Sequence, residues 1–385
     1  MIKKVIKRIF RKKKNVFCST EDRSVYVSKI SEEALWVYLS YIADVFYRQN
    51  DESYLNVHQA LREAVEMVSI FNKLGYNVYV QNYDSSTPLP DINVSVIFGH
   101  SPNLELAVKK WPKAYVVMYA TGPLYTHQNA QEQFMVDYVN HKYGTTFAME
   151  RWVPPYNSHV IANKILMIGS CATIETFPED YRSKITIIHQ SSQAKQVVDP
   201  IRYAPENEFF FMASAGNLLR GIPLLIESFV SHPEKTLHIV GPVGPYLEYV
   251  LASLPDNIHI HGFIDINSDE MASIMSRCNF MIYPTGSDGI PGSLINSMMN
   301  GLIPIVSKWG AFDEIIDYGY LMKNWDVTSI DEGLLWADSL SPEQCLSLKR
   351  KCSIFVKDQY NLKRFSEEFE KFFRIVKEES IHKNL

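Results

Sequence analysis

The chain has 385 residues, 46% of them hydrophobic, which is enough to bury a large core in two or three domains and excludes a disordered chain. Its net charge is −5, yet the first fourteen residues carry eight Lys or Arg and no acid, so the body is acidic and the tip basic. A duplex nucleic-acid partner needs a basic face on a folded domain and is disfavoured.

Cys18, Cys171, Cys278, Cys345 and Cys352 are odd in number and show no C-x-x-C spacing. They read as reduced, mostly buried thiols in a cytoplasmic protein. No apolar run reaches the roughly 18–20 residues that span a bilayer, and the start lacks the apolar core of a signal peptide. Residues 1–14 place Ile2, Val5, Ile6, Ile9 and Phe10 at helical spacing among Lys3, Lys4, Lys7, Arg8 and Lys12. This basic segment, taken as residues 1–30, is either a peripheral contact to an anionic membrane surface or a solvated, frayed end.

After a polar stretch to about residue 33, the apolar run Leu35–Ile42 predicts a first strand, buried on both faces. Val57, Leu61, Ala64, Val65, Val68 and Phe71 then share one helical face that ends at Gly75, a good residue just past a helix end. Further strands are predicted at 78–80, 94–98, 115–119, 164–168 and 185–189. Such alternation implies parallel β-α-β winding. The polar run Gln190–Glu206 reads as a linker, giving a first domain over 31–195 and a second over 196–360.

The second series has strands at 209–212, 237–240, 258–260, 280–283 and 303–306. One bridging helix carries Pro223 in its first turn, and another follows the N-cap Ser268. No strand is predicted beyond Met322. Residues 361–385 form a helix whose stripe of Leu362, Phe365, Phe369, Phe372 and Val376 needs covering, either by the first domain or by the core of the second.

Open α/β sheets place ligands at the C-terminal ends of their strands, so the loops that follow strands are the informative ones. The loop after 209–212 reads Ala213-Ser-Ala-Gly216-Asn217-Leu-Leu-Arg220-Gly221. Its small residues allow close approach to Gly216 and Asn217, and Arg220 beside a helix start suits a diphosphate. The alternative reading makes Arg220 a surface residue beside a tight turn. The loop after 280–283 holds Asp288, Gly289, Pro291, Gly292, Ser293, Leu294 and Asn296. Gly292 and Ser293 can present amides to a phosphate, while Asp288 and Asn296 can reach sugar hydroxyls; ordinary turn and N-cap chemistry is the alternative. Gly241 and Ile264 belong to a weaker third loop pair, which either lines a base pocket or holds plain turn glycines. His127, near Asn129, is the candidate on the N-terminal side. His259 and His261 alternate along a strand without a further ligand, so no metal is expected.

These loops, in this order, resemble the C-terminal domain of family 4 glycosyltransferases of the GT-B fold over about residues 208–322. Asp288 to Gly301, running into Leu302–Val306, is similar to the family's E-x7-E loop, helix and strand. Arg220-Gly221 falls where the family has Lys-Gly, and Gly310 with Glu314 matches its G-x-x-E loosely. Tyr119-Ala-Thr-Gly122 carries a less specific likeness in the N-terminal half.

The resemblance implies an α/β fold of two doubly wound Rossmann-like domains facing across a cleft. It implies a retaining, metal-independent transfer from a nucleotide-diphosphate sugar to a glycan or lipid-linked acceptor. No cofactor beyond the donor is implied. Arg220 would neutralise phosphate, Asp288 hold the sugar and Asn296 the ribose, with His127 touching sugar or acceptor. This chain departs from the pattern in having Asp288 and Asn296 for the two acids, and Ala215 or Asn217 for an arginine that often precedes Lys-Gly. A degenerate binding protein and a sugar-nucleotide epimerase remain open alternatives.

Overall fold

The computed structural model describes residues 23–192, 202–205 and 207–383; the basic segment 1–14 and most of the predicted linker lie outside the described residues. The chain forms two compact units. One is assembled from residues 22–125, 154–193 and 356–385, the other from 126–153 and 194–355.

The first unit contains strands β1 (Val25–Ser28), β2 (Trp36–Tyr41), β3 (Asn77–Asn82), β4 (Val94–Gly99), β5 (Tyr115–Ala120), β6 (Lys164–Met167) and β7 (Ile185–Ile187). Their order is β1-β3-β2-β4-β5-β6-β7, with β1 antiparallel and the rest parallel. The apolar runs form inner strands because both sheet faces are covered, and all six residues of β5 are buried. Strand β1 was not predicted. It lies at a sheet edge within a polar stretch, where one neighbour suffices and no apolar run is required.

One face of this sheet is covered by helix α1 (Gln59–Lys73) and by the C-terminal helix Leu362–Lys383. Phe71 of α1 and Phe98 of β4 meet Phe373 at ring-centroid distances of 4.7 and 4.9 Å. Phe365, Phe369 and Phe373 are all buried. The phenylalanine stripe of the last helix thus covers the sheet built from the first part of the chain. On the other face, Tyr38, Ile97, Leu104, Val116 and Ile165 form a second apolar cluster.

The second unit has β8 (Glu208–Met212), β9 (Thr236–Val240), β10 (Ile258–Gly262), β11 (Cys278–Tyr283), β12 (Ile303–Ser307) and β13 (Tyr320–Met322). The order is β10-β9-β8-β11-β12-β13, parallel throughout. Strand β13, three residues long, was not predicted either; it is another edge. Ser268 caps its helix as expected, its side chain accepting from Met271 N–H at 3.2 Å.

Helix α2 (Tyr125–Tyr143) and the loop to Val153 group with this second sheet. Tyr138 donates to Glu227 at 2.7 Å, and Lys142 pairs with the same carboxylate at 2.6 Å. A segment early in sequence therefore supplies one wall of the later unit.

Among the described residues, Cys278, Cys345 and Cys352 are buried free thiols and Cys171 is exposed. No described helix is long and apolar enough to cross a membrane.

Candidate functional site

In the second unit the strand order reverses between β8 and β11. A parallel sheet opens a crevice at such a switch point, beyond the C-terminal strand ends. Residues 213–221 leave β8 there and residues 284–291 leave β11, so the two most informative loops of the sequence flank one point. Helix α3 (Ile222–Ser231) follows the first loop and helix α4 (Gly292–Met299) the second.

The loops nearly touch. Gly221 has φ +74°, and a Cβ placed on it would lie 2.0 Å from the carbonyl oxygen of Pro284. Only glycine permits this backbone and this contact together. Gly286 N–H then donates to Leu219 O at 2.8 Å, tying the loops a second time.

This close approach seats Arg220 inside the second loop. The side chain is buried; Nη1 donates to Ser287 O at 2.9 Å and Thr285 Oγ1 at 3.3 Å, and forms an ion pair with Asp288. Arg220 Nε is also buried and donates to nothing among the described residues. Burial works against the charged guanidinium, but Asp288 and Tyr283 outweigh it and leave its pKa above the usual value. Tyr283 donates to Asp288 Oδ2 at 3.1 Å and also bonds the Ser293 side chain, which places the ion pair beside the start of α4.

Helix α4 begins at Gly292 behind Pro291, with no side chain capping its first turn. Gly292 and Ser293 are half-buried, while Gly289, Pro291 and Leu294 pack inward. An uncapped helix start beside a buried guanidinium is an arrangement that can take an anion. The loop before it is held firmly. Asp288 N–H donates to Trp309 O at 2.9 Å, Trp325 Nε1 to Pro284 O at 2.7 Å, and Ser307 Oγ to Thr285 O at 2.5 Å. Gly310 packs under Thr285. Asn296 is only 3% exposed and lies on the buried side of α4, where its carbonyl accepts from Asn300.

His127, on α2, is brought to the same loop. Its Nε2 lies 3.1 Å from Gly286 O, and its ring stands 4.0 Å from that of Trp309. A carbonyl only accepts, so Nε2 carries the proton and Nδ1 keeps a lone pair. Burial, with help from Lys308 and against the Gly286 carbonyl, lowers its pKa and favours this neutral form.

In the loop after β8, where close approach to Gly216 and Asn217 is expected, the amides of both residues are directed at the carboxylate of Glu150, with Asn217 N at 3.0 Å. The Asn217 side chain is likewise engaged, accepting from Gly244 N–H at 2.9 Å and donating to Pro242 O at 3.4 Å. Asn217 therefore staples this loop to the one after β9. Gly241, at the end of β9, donates to Gly262 O at 2.9 Å, and Ile264 is buried beyond it.

Sequence reasoning missed Glu132, Glu150, Arg151 and Tyr283. Glu132 is fully buried, and its carboxylate accepts from Glu150 N at 2.8 Å and Arg151 N at 2.8 and 3.0 Å. An acid at a helical position facing a loop eighteen residues later leaves no spacing signal. His259 and His261, read as isolated, do gain a neighbour. His238 Nδ1 is 2.9 Å from His261 Nε2, and its Nε2 is 2.7 Å from Glu208. Glu208, His238 and Cys278 offer ligand atoms within 4.8 Å of one another. Arg277 stands 3.3 Å from Glu208, and the carboxylate and imidazoles already satisfy each other, so the group forms a hydrogen-bonded relay.

Two doubly wound sheets with ligand loops at a switch point define the GT-B class, and solved structures agree. The chain is 12% identical to sucrose-phosphate synthase from Thermosynechococcus elongatus, over 89% of this chain and 99% of that one, with TM-score 0.56. It is 8% identical to Anabaena Alr3699/HepE in complex with UDP and glucose, over 89% and 100%, with TM-score 0.53. It is 12% identical to TarM over 80% of this chain, with TM-score 0.50, and spans 57% of that protein's length. No curated protein sequence matches. Residues 209–337 match the family model described as Glycosyl transferases group 1. Residues 209–337 thus match a group 1 glycosyltransferase domain, and the chain has a GT-B fold.

Proposed function

We propose that the protein transfers a sugar from a nucleoside-diphosphate sugar to a glycan or lipid-linked acceptor, with retention at the anomeric carbon and without a metal. The observation that carries this reading is the buried Arg220, ion-paired to Asp288 beside the uncapped start of α4. The slow step of such a transfer is departure of a diphosphate from an oxocarbenium-like sugar, and fixed positive charge at the leaving group is what lowers that barrier.

In this reading Arg220 and the amides of Gly292 and Ser293 take the diphosphate. Asp288, presented by Tyr283 and Arg220, accepts from a sugar hydroxyl. His127 offers Nδ1 to the sugar or acceptor, and Asn296 orients the ribose through α4. The bond from C1 to the diphosphate oxygen breaks, the acceptor oxygen joins C1 on the same face, and the acceptor proton passes to the departing phosphate. No protein nucleophile is needed. The UDP and glucose bound by the Anabaena neighbour support a nucleotide-sugar donor. Cytoplasmic residence, with residues 1–14 resting on an anionic membrane, suits an acceptor made at a membrane.

Calorimetry with a panel of nucleotide sugars tests the reading. Binding of at least one, weakened a hundredfold or more in Arg220→Met, is expected. Wild-type protein that binds none of them overturns it.

A further inference from the structure

We propose that Arg151 is the second phosphate cation of this site, placed over the loop after β8 from outside that loop. The inference rests on the donor-binding reading above and concerns how the diphosphate is held. It starts from a deficit: residues 213–219 contain no cation, and the Gly216 and Asn217 amides are committed to Glu150. No cationic side chain and neither of those two amides is left in the loop for the anion's second contact.

The adjacent residue of the same segment fills that role. The backbone of Arg151 is fixed on three sides. Its N–H donates to both oxygens of Glu132, its carbonyl accepts from Gln128 Nε2 at 2.7 Å, and the next turn is held by the Asn129–Val153 pair at 2.8 and 2.9 Å. From there the side chain runs across Gly216. A Cβ at Gly216 would lie 2.6 Å from both Cγ and Cδ of Arg151, so the glycine is the channel through which this arginine passes. Nη1 ends 3.4 Å from the carbonyl of exposed Ala215.

Charge makes the placement informative. Arg151 is near enough to Arg220 to be repelled by it, while Asp288 attracts both. Asp288 and Glu132 act on both guanidiniums and Glu150 acts on Arg151, yet burial and the repulsion from Arg220 still hold the Arg151 pKa below its usual value. The carboxylates around it thus leave Arg151 incompletely compensated beside Arg220, a cost that a bound anion reduces. Arg220 Nε, buried and without an acceptor among the described residues, is a second sign that the site is shaped for one.

The experiment uses the full chain and the nucleoside diphosphate that wild type binds best among UDP, GDP and ADP. Affinity is measured by calorimetry at low and high salt for wild type, Arg151→Met and Arg151→Lys, with thermal unfolding of each. Arg151→Met should bind about ten- to hundredfold more weakly, the loss expected for one charge-assisted contact. Its affinity should depend less on salt than that of wild type, and Arg151→Lys should recover most of the loss. If Arg151→Met binds as tightly as wild type, or keeps the wild-type salt dependence while Arg151→Lys is equally impaired, the proposal falls and Arg151 only packs against Gly216. Wild type that binds none of the three is a different result, which removes the donor-binding reading itself.

Discussion

Arg220 and Asp288 stand 68 residues apart in sequence and form an ion pair at the switch point of the second sheet, each delivered by a different loop. The pair is largely shielded, with side-chain exposures of 7% and 20%. Removing one partner leaves the other charged and buried, so Asp288→Ala should cost about 3 kcal/mol of stability. Asp288→Asn, which keeps a carbonyl acceptor, should cost less. Urea unfolding of both variants separates these outcomes, and equal stability of Asp288→Ala and wild type would show that water already compensates Arg220.

Gly221 makes that pairing geometrically feasible. Gly221→Ala forces a left-handed conformation on a residue with a Cβ and pushes it against the Pro284 carbonyl. The backbone conformation alone costs about 1–2 kcal/mol, and the clash adds to it. The melting temperature should fall by several degrees and activity with it, even though Gly221 itself touches no reacting atom.

The first unit depends on its last helix. Phe369→Ala and Phe373→Ala each remove a buried ring from the cluster with Phe71 and Phe98, and each should cost about 3–5 kcal/mol. Truncation before Leu362 should leave the first sheet open to limited proteolysis. A truncated chain that resists protease as well as the full one contradicts this.

Glu63 gives a pH dependence of definite sign. Burial raises its pKa from 4.5 to about 7, against the Ser191 N–H and hydroxyl, which favour the charged form. A carboxyl with a raised folded pKa binds its proton more tightly when folded. Its contribution is therefore fully present below the unfolded value and is lost as pH rises from about 4.5 to about 7. Glu63→Gln, which remains neutral, should remove that part of the decline. The check is the denaturation midpoint of variant and wild type at pH 5 and pH 8, and parallel profiles would refute it.

His127 has a polar and an aromatic neighbour in Gly286 and Trp309. Replacing it with Gln keeps a donor for the carbonyl but loses the imidazole lone pair. Turnover should drop about tenfold, the loss expected for one hydrogen bond to the sugar or acceptor, while diphosphate affinity stays within a few-fold. A variant of unchanged turnover would leave His127 as a tether for the loop.

The sequence by itself determined the inner strands, the helices between them and the two loops bearing Arg220 and Asp288. Each of these has a local signal: an apolar run of strand length, a helical stripe, or small residues just after a strand. The edge strands Val25–Ser28 and Tyr320–Met322 escaped because a strand with one neighbour needs no continuous apolar face. Only the tertiary structure decided that helix Tyr125–Tyr143 serves the later sheet, that Glu150 takes the Gly216 and Asn217 amides, and that Arg151 lies over Gly216. These are contacts between segments 64 to 159 residues apart, made by polar side chains whose partners are set by how the chain winds and not by any spacing along it.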